Sequence, residues 1–235
     1  MAQTYWSKLE DAGDVTSPET GPAGTEDGSP DYAACKFNNG ICVNANAEGY
    51  YFPNNPTVIT AATKGAVEFW IKTDYNVANG LPADAAHHML VVYNPAGSAQ
   101  FWCYINSDNG IGMLRDPDTG SGDRVTVFDT TSDWTAGDLV HLAFVWDAAA
   151  GFDESKTMAV YVNGVQTAST TTALGTFTDT TDDVYVGEQD SQINPMDSIM
   201  DNIKIHDTTK TDFTDRDYED GVIPSVAFMT PKKYW

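Results

Sequence analysis

The chain has 235 residues, of which 34 are acidic and 12 basic, giving a formal charge of −22 at pH 7. A field of that sign repels nucleic acid and anionic membranes while favouring cations and solubility. No apolar run approaches the ~20 residues of a spanning helix, and the length suits one all-β domain with a sizeable core.

In chain order, Thr4 to Leu9 reads as a first strand with Trp6 buried. Residues 11–31, rich in Gly, Pro, Thr and acids, lack periodicity and are expected as an acidic surface loop. Short strands follow near 32–37, 41–45 and 49–52. Cys35 and Cys42 flank Phe37-Asn38-Asn39-Gly40. A four-residue hairpin loop would set the two thiols opposite one another and allow a disulfide. A loop of two or three residues would put them out of register. In Ala66 to Lys72, Val67, Phe69 and Ile71 point to a core, while Glu68, Trp70 and Lys72 point away. Residues 74–87 read as a loop. Strands at 88–93, 99–106, 111–114 and 124–128 are divided by N-P-A-G, S-D-N-G and D-P-D-T-G-S-G-D, the spacing of a meandering sandwich. Cys103 shares a face with Phe101 and Ile105 and is expected as a buried thiol.

Residues 138–166 carry the strongest pattern. Val140, Leu142, Phe144 and Trp146 alternate with Leu139, His141, Ala143 and Val145, apolar on both sides, the mark of a strand covered above and below. Met158, Val160 and Val162 then share a face opposite Ala159 and Tyr161, and Asn163-Gly164 supplies the positive φ angles of a tight hairpin. A Thr-rich run leads to a strand at 183–187, and a last core strand spans 199–206. Residues 213–221 read as a short helical turn. The domain is expected over 1–223, with 224–235 as a tail.

The stretch W-T-A-G-D-L-V-H-L-A-F-V-W-D (134–147), followed by Y-V-N-G-V (161–165), resembles the laminin-G-like and pentraxin branch of the concanavalin A-like jelly rolls. G-A-V-E-F-W-I-K (65–72) and V-Y-V-G-E-Q-D…S-I-M-D-N-I-K-I-H-D (184–207) look like the flanking strands, so the resemblance covers roughly residues 4–220. It implies an all-β fold, a concanavalin A-like jelly-roll sandwich of two antiparallel sheets. Pentraxins carry E-Q-D after the equivalent strand as a calcium loop. The resemblance therefore implies Ca2+ ligands at Glu188, Gln189 (through its carbonyl) and Asp190, with Asp197 seven residues on and Asn94 from the N-P-A-G loop. Clustered oxygen donors of this kind suit a hard cation. The family's later Gln ligand has no counterpart, so a second ion at that loop is not expected. The pentraxin disulfide is missing as well.

Asp201 carries a separate argument. In I-M-D-N-I-K-I it shares parity with Ile199, Ile203 and Ile205, so alternation turns its carboxylate towards the apolar face. There it must be paired, hydrogen-bonded or bound to metal. Some laminin-G-like domains resemble this, pairing such an Asp with an N-terminal acid at a structural calcium; here that acid would be Glu10 or Asp11. The alternative is a carboxylate that accepts backbone N–H groups near the end of the strand.

Catalysis is not expected. The E-x-D-x-x-E strand of glycosidases with this fold is absent, and Glu68 is the one acid inside a mid-sheet strand. His87, His88, His141 and His206 make no zinc spacing, and His141 reads as a packed core residue. No G-x-S-x-G or Cys–His arrangement suggests a nucleophile. Trp70, Trp102, Tyr104 and Tyr161 point outward and are candidates for stacking on sugar rings, with core or inter-subunit packing as the alternative. Together these point to a non-catalytic, surface-exposed binding or adhesion module that recognises a glycan or other surface ligand with calcium, without nucleic acid or membrane insertion. A second reading is a structural decoration or fibre protein of a phage-like virion, acting through other virion subunits or as a homo-oligomer. The absence of signal-peptide order in M-A-Q-T-Y-W-S-K-L-E and the tail Lys232-Lys233-Tyr234-Trp235 favour that reading. Both place the chain outside cells or on a virion surface. A glycoside-active enzyme is the least supported reading.

Overall fold

A computed structural model describes residues 3–45, 48–53, 59, 63–82, 86–93, 99–116, 125–153, 155–174, 183–187 and 195–221. The chain opens with β1 (Gln3–Ser7), a one-turn helix α1 (Ala12–Thr16), β2 (Thr25–Asp27), β3 (Asp31–Ala34), β4 (Asn39–Val43) and β5 (Gly49–Phe52). Then come β6 (Lys64–Thr73), the short β7 (Val77–Ala78) and β8 (Leu81–Pro82), β9 (His87–Tyr93), β10 (Ala99–Asn106), β11 (Gly110–Arg115) and β12 (Val125–Asp129). Last are β13 (Leu139–Asp147), β14 (Met158–Val162), β15 (Val165–Thr170), β16 (Val184–Val186) and β17 (Ser198–His206).

The first sheet has the order β15-β14-β13-β6-β17-β4-β3, with β1 also paired to β17. The second has the order β12-β11-β10-β9-β16-β5-β2, and β7 pairs with β8 apart from both. Period-two alternation explains the layering. Val67, Phe69 and Ile71 from β6 meet Leu142, Phe144 and Trp146 from β13, and together they face Phe101, Ile105, Met113, Phe52 and Val186 of the other sheet. Burying each such side chain is worth roughly 1.5–3 kcal/mol, so this shared core holds the sandwich closed. It is the expected all-β jelly roll of two antiparallel sheets. Cys103 lies fully buried in that core, as its parity implied. Arg115 is buried against that core with its guanidinium over Phe101 and Trp146. Burial pushes that guanidinium down to about 9.

The Asn163-Gly164 turn joins β14 to β15 with φ of 52° and 79°, the left-handed pair that its sequence predicted. Elsewhere the expectations need correction. The stretch 11–31 is not all loop: Asp11 accepts the N–H groups of Gly13 and Asp14 to cap α1, and 25–27 pairs with β5. The stretch 74–87 likewise contains the β7–β8 ladder. The hairpin loop after β3 is 35–38, because Ala34 pairs with Asn39. Cys42 therefore lies opposite Asp31, and both Cys35 and Cys42 are free thiols. Residues 213–221 form successive turns, with N–H bonds from Arg216 to Phe213, Tyr218 to Asp215 and Gly221 to Tyr218. The expected tail, 224–235, lies outside the described residues.

Candidate functional site

The outer face of the second sheet is aromatic. Because Phe101, Cys103 and Ile105 point into the core, Trp102 and Tyr104 point away from it. Register then sets Trp102 opposite Val91 and Leu114, Val91 opposite Tyr185, and Tyr185 opposite Tyr51. One row along, Tyr104 faces His88, and Gly112 faces Phe128. The His88 and Trp102 rings stack at 5.0 Å, Tyr104 meets Trp102 at 5.6 Å and Phe128 at 5.7 Å, and Tyr51 meets Tyr185 at 5.9 Å. Gly112 makes room for the row, since a Cβ there would come within 2.2 Å of the Phe128 ring. Tyr104 and His88 are buried, while Trp102, Phe128, Tyr51 and Tyr185 are half-buried. The Trp102 indole N–H is buried without a hydrogen-bond partner. Sequence reasoning found Trp102 and Tyr104. It missed Tyr51, Tyr185, His88 and Phe128, which only strand register brings together.

Trp70 and Tyr161 lie on the opposite side of the sandwich, at 6% and 4% exposure. The segment 207–221 covers them: Trp70 donates to the carbonyl of Arg216 at 3.0 Å, and Phe213 packs on Tyr161 at 5.0 Å. The four aromatics expected to stack on a ligand therefore do not share one surface.

Glu188, Gln189, Asp190 and Asn94 lie outside the described residues. Their flanks are informative. The Gly187 N–H donates to the Met89 carbonyl and the Met196 N–H donates to the Gly187 carbonyl at 2.7 Å, which sets these two flanking residues side by side. Asp197 follows one residue later with φ of 53°. The His87 ring is stacked on Tyr75 at 4.1 Å, with Nδ1 3.4 Å from the Pro195 carbonyl. Gly187 leaves β16 at the level of the His88–Tyr104 row, whereas Tyr93, which leads to Asn94, ends β9 beyond the Val92–Val184 pair. The two approaches are at opposite ends of the β9–β16 pair.

Asp201 departs from its expected orientation. A bulge follows it, with Asn202 at φ of 54°, and the extra residue resets the alternation. Met200, Ile203 and Ile205 face the core, while Asp201, opposite Trp70, faces the outer side of the first sheet. It is nonetheless fully buried beneath the 35–38 loop. Its Oδ2 accepts the Phe37 N–H at 2.6 Å, and its Oδ1 has no partner. Burial pushes its pKa up to about 7; the Phe37 N–H pulls it down, repulsion from Glu219 and Glu10 pushes it up, and the Lys36 N–H pulls it down again. Burial also raises Glu219, Lys8 opposes at 3.6 Å, and a side-chain hydrogen bond with Glu10 adds to the rise. Glu10 accepts from the Asn38 amide at 2.8 Å. Asp11, the other N-terminal acid considered, is occupied in capping α1. Orphaned, buried, like-charged oxygens are the donors that a hard cation takes. Among the described residues no three His, Cys, Asp or Glu side chains already converge to hold a metal, so backbone carbonyls would have to complete such a shell.

One cluster escaped the sequence reading. Glu68, at 3% exposure, accepts from His206 Nε2 at 2.7 Å, Lys210 Nζ at 2.6 Å and His141 Nε2 at 3.1 Å. Burial alone would raise this carboxyl, but those donors hold it well below the usual range. The pairing of Glu68 with a neighbouring strand's His141 follows from alternation; Lys210 arrives from a turn that no periodicity announces.

The matched fold adds context. Domain 4 of AbnA, an extracellular GH43 arabinanase from Geobacillus stearothermophilus solved with arabinotriose, superposes with a TM-score of 0.58 at 18% identity, over 88% of this chain and 93% of that one. The binding domain of Paraclostridial Mosquitocidal Protein 1 gives 0.63 at 11% identity, over 88% of this chain and 49% of that one. The binding domain of Botulinum Neurotoxin DC in complex with SialylT gives 0.54 at 11% identity, over 80% and 43%. The chain thus spans about half the length of these toxin domains, and at such identities the likeness shows the fold alone. No curated protein matches the sequence. A family model does match, over residues 44–212, and by it the chain belongs to the Concanavalin A-like lectin/glucanases superfamily.

Proposed function

We propose that this chain is a non-catalytic binding module that takes a glycan on the outer face of its second sheet. The observation that carries this is the half-buried aromatic surface of Tyr51, Tyr185 and Trp102 in one row, with Phe128 in the next. Sugar rings offer apolar C–H faces to such rings. The outward residues of that row carry no charge, which suits a neutral saccharide in a chain of −22. Fold relatives solved with arabinotriose and with SialylT support a saccharide or surface receptor as the ligand class. Glu68 is enclosed and held ionised by three donors, which favours binding over hydrolysis.

Calcium enters in two places in this reading. One ion sits at Asp201 and Glu10 and stabilises the fold. A second is held by Glu188, Gln189, Asp190 and Asp197, after Gly187, whose N–H bonds to Met89 beside His88. When bound, such an ion supplies a fixed positive charge that can take a ligand oxygen.

The test is affinity electrophoresis through immobilised neutral polysaccharides, with Trp102→Ala and Tyr185→Ala beside the parent. Each substitution is expected to weaken retention about tenfold, the loss of one stacking contact of roughly 1.5 kcal/mol. Unchanged retention in both variants would remove this face as the site. A stable oligomer indifferent to chelator and to every glycan would instead favour the virion-decoration reading.

A further inference from the structure

The segment 207–221 lies as a strap over the outer face of the first sheet, above one buried carboxylate. Val67 and Phe69 point into the core, so Glu68 between them points out; the same alternation turns out His141 on β13 and Lys204 and His206 on β17. The strap brings Lys210 down onto this acid, with Nζ 2.6 Å from Glu68 Oε1 and 2.9 Å from Asp215. Phe213 packs against the rings of His141 and Tyr161 at 5.6 Å and 5.0 Å, and the Arg216 carbonyl accepts from Trp70 at 3.0 Å.

Under the docked strap His141 is a neutral ring. Its Nε2 lies 3.1 Å from Oε2 of the ionised Glu68 and so carries the donated proton, which leaves Nδ1 bare. Nδ1 is buried with no hydrogen-bond partner, and the ring is flanked by Trp70 at 5.4 Å and by Phe213 of the strap. A second proton, on Nδ1, would be buried with nothing to accept it. The surrounding charges act in the same sense. Glu68 faces the ring from β6, with Lys204 and His206 beside that acid on β17, and β14 contributes the Tyr161 phenol. From the strap come Lys210, Asp215, Arg216 and Asp217. Asp215 is taken up by Lys210, and Asp217 by Lys36 at 2.7 Å. An imidazolium would therefore meet Lys210 and Arg216 as opposing charges and would compete with the Lys210 ammonium for Glu68.

We infer that His141 is a proton-operated latch: on taking up a proton it displaces Lys210 from Glu68 and releases the strap 207–221 from Trp70 and Tyr161. With the strap lifted, Nδ1 reaches water and the imidazolium keeps Glu68 as its partner on the sheet. Trp70 and Tyr161 then open as a second aromatic face, on the side of the sandwich away from Trp102. Burial lowers the His141 pKa from 6.5, its bond to Glu68 and the charge of Glu68 raise it, and Lys210 and Arg216 lower it. A lowered histidine favours the docked state fully above its ordinary value and loses that contribution as pH falls below it. A single proton then weakens docking by at most about tenfold per pH unit.

The experiment is hydrogen exchange by mass spectrometry on the whole chain from about pH 8 to about pH 5, expressed as protection over the free-peptide rate, with an NMR titration of the His141 ring. Amides 210–216 are read, the end of the strap away from Asp201. In the parent their protection is expected to hold above about pH 6.5 and to fall by up to about tenfold per unit below it, while β13 amides stay protected. His141→Gln keeps a donor for Glu68 and cannot titrate, so its strap protection is expected to stay level. Phe213→Ala takes away the cover of the ring, and His141 is expected to titrate there at a higher pH than in the parent. Parent protection that stays level throughout, or a fall equally steep in His141→Gln, overturns the latch. So does loss of β13 protection in step with the strap, which would mean that the whole domain opens. Should His141→Gln fail to fold, the ring titration decides: equal midpoints in the parent and in Phe213→Ala overturn the proposal.

Discussion

At the scale of the residue, Asp201 carries an energetic signature that can be read without any ligand. Its folded pKa of about 7 stands above its ordinary 3.8. A raised acid favours the fold fully only below the ordinary value, and that contribution is lost as pH climbs through the folded one. About three units corresponds to roughly 4 kcal/mol, or about 10 °C in Tm for a domain of this size. His141 runs the other way: burial lowers its pKa from 6.5, so its contribution is lost as pH falls below that value. Asp201→Asn isolates the first effect, because His141 and Glu68 are common to both proteins. In chelator at about pH 8, this variant is expected to melt higher than the parent, with the gap closing towards about pH 4. A thermal melt across pH checks it, and a variant that melts lower throughout would contradict the burial of an ionised Asp201.

At the scale of the element, what could be read from sequence depended on an unbroken period. The alternation in 139–147 and 158–162, closed by Asn163-Gly164, identified β13, β14 and their turn because nothing interrupts those strands. β17 shows the opposite case. The bulge at Asn202 inverts every parity argument that crosses it, so Asp201 could be recognised as buried but its direction could not. Turn position was open at Cys35 and Cys42 in the same manner: the loop is four residues long but occupies 35–38, not the 37–40 stretch that the two cysteines flank. The aromatic row was half legible, since alternation exposes Trp102 and Tyr104 but only register aligns them with Tyr51 and Tyr185. Gly112 tests that row as a unit. Gly112→Val would drive a side chain into the Phe128 ring at 2.2 Å. It is expected to cost about 1–3 kcal/mol in denaturant stability by overpacking and to weaken glycan retention as Trp102→Ala does. Retention equal to the parent's would mean that Phe128 and its neighbours do not act together.

At the scale of the whole molecule, 34 acids against 12 bases make the folded state repel itself. Raising NaCl from about 20 mM to about 0.5 M shortens the screening length several-fold. The melting temperature is therefore expected to rise with salt, while retention on a neutral polysaccharide stays level because no ion pair is made. Retention that collapses with salt would point to a charged ligand. Asn202 joins the two ends of the described chain at one spot: its Oδ1 accepts from Trp6 of the first strand at 2.7 Å, and its Nδ2 donates to the Glu219 carbonyl of segment 207–221 at 3.1 Å. A pull between residues 3 and 221 would load the β1–β17 pairs at Gln3 and Tyr5 before it reached the Trp6–Asn202 bond, while from the other side Glu219 leads straight to the same amide. One side chain thus ties the first strand and the last turns to the same point of β17.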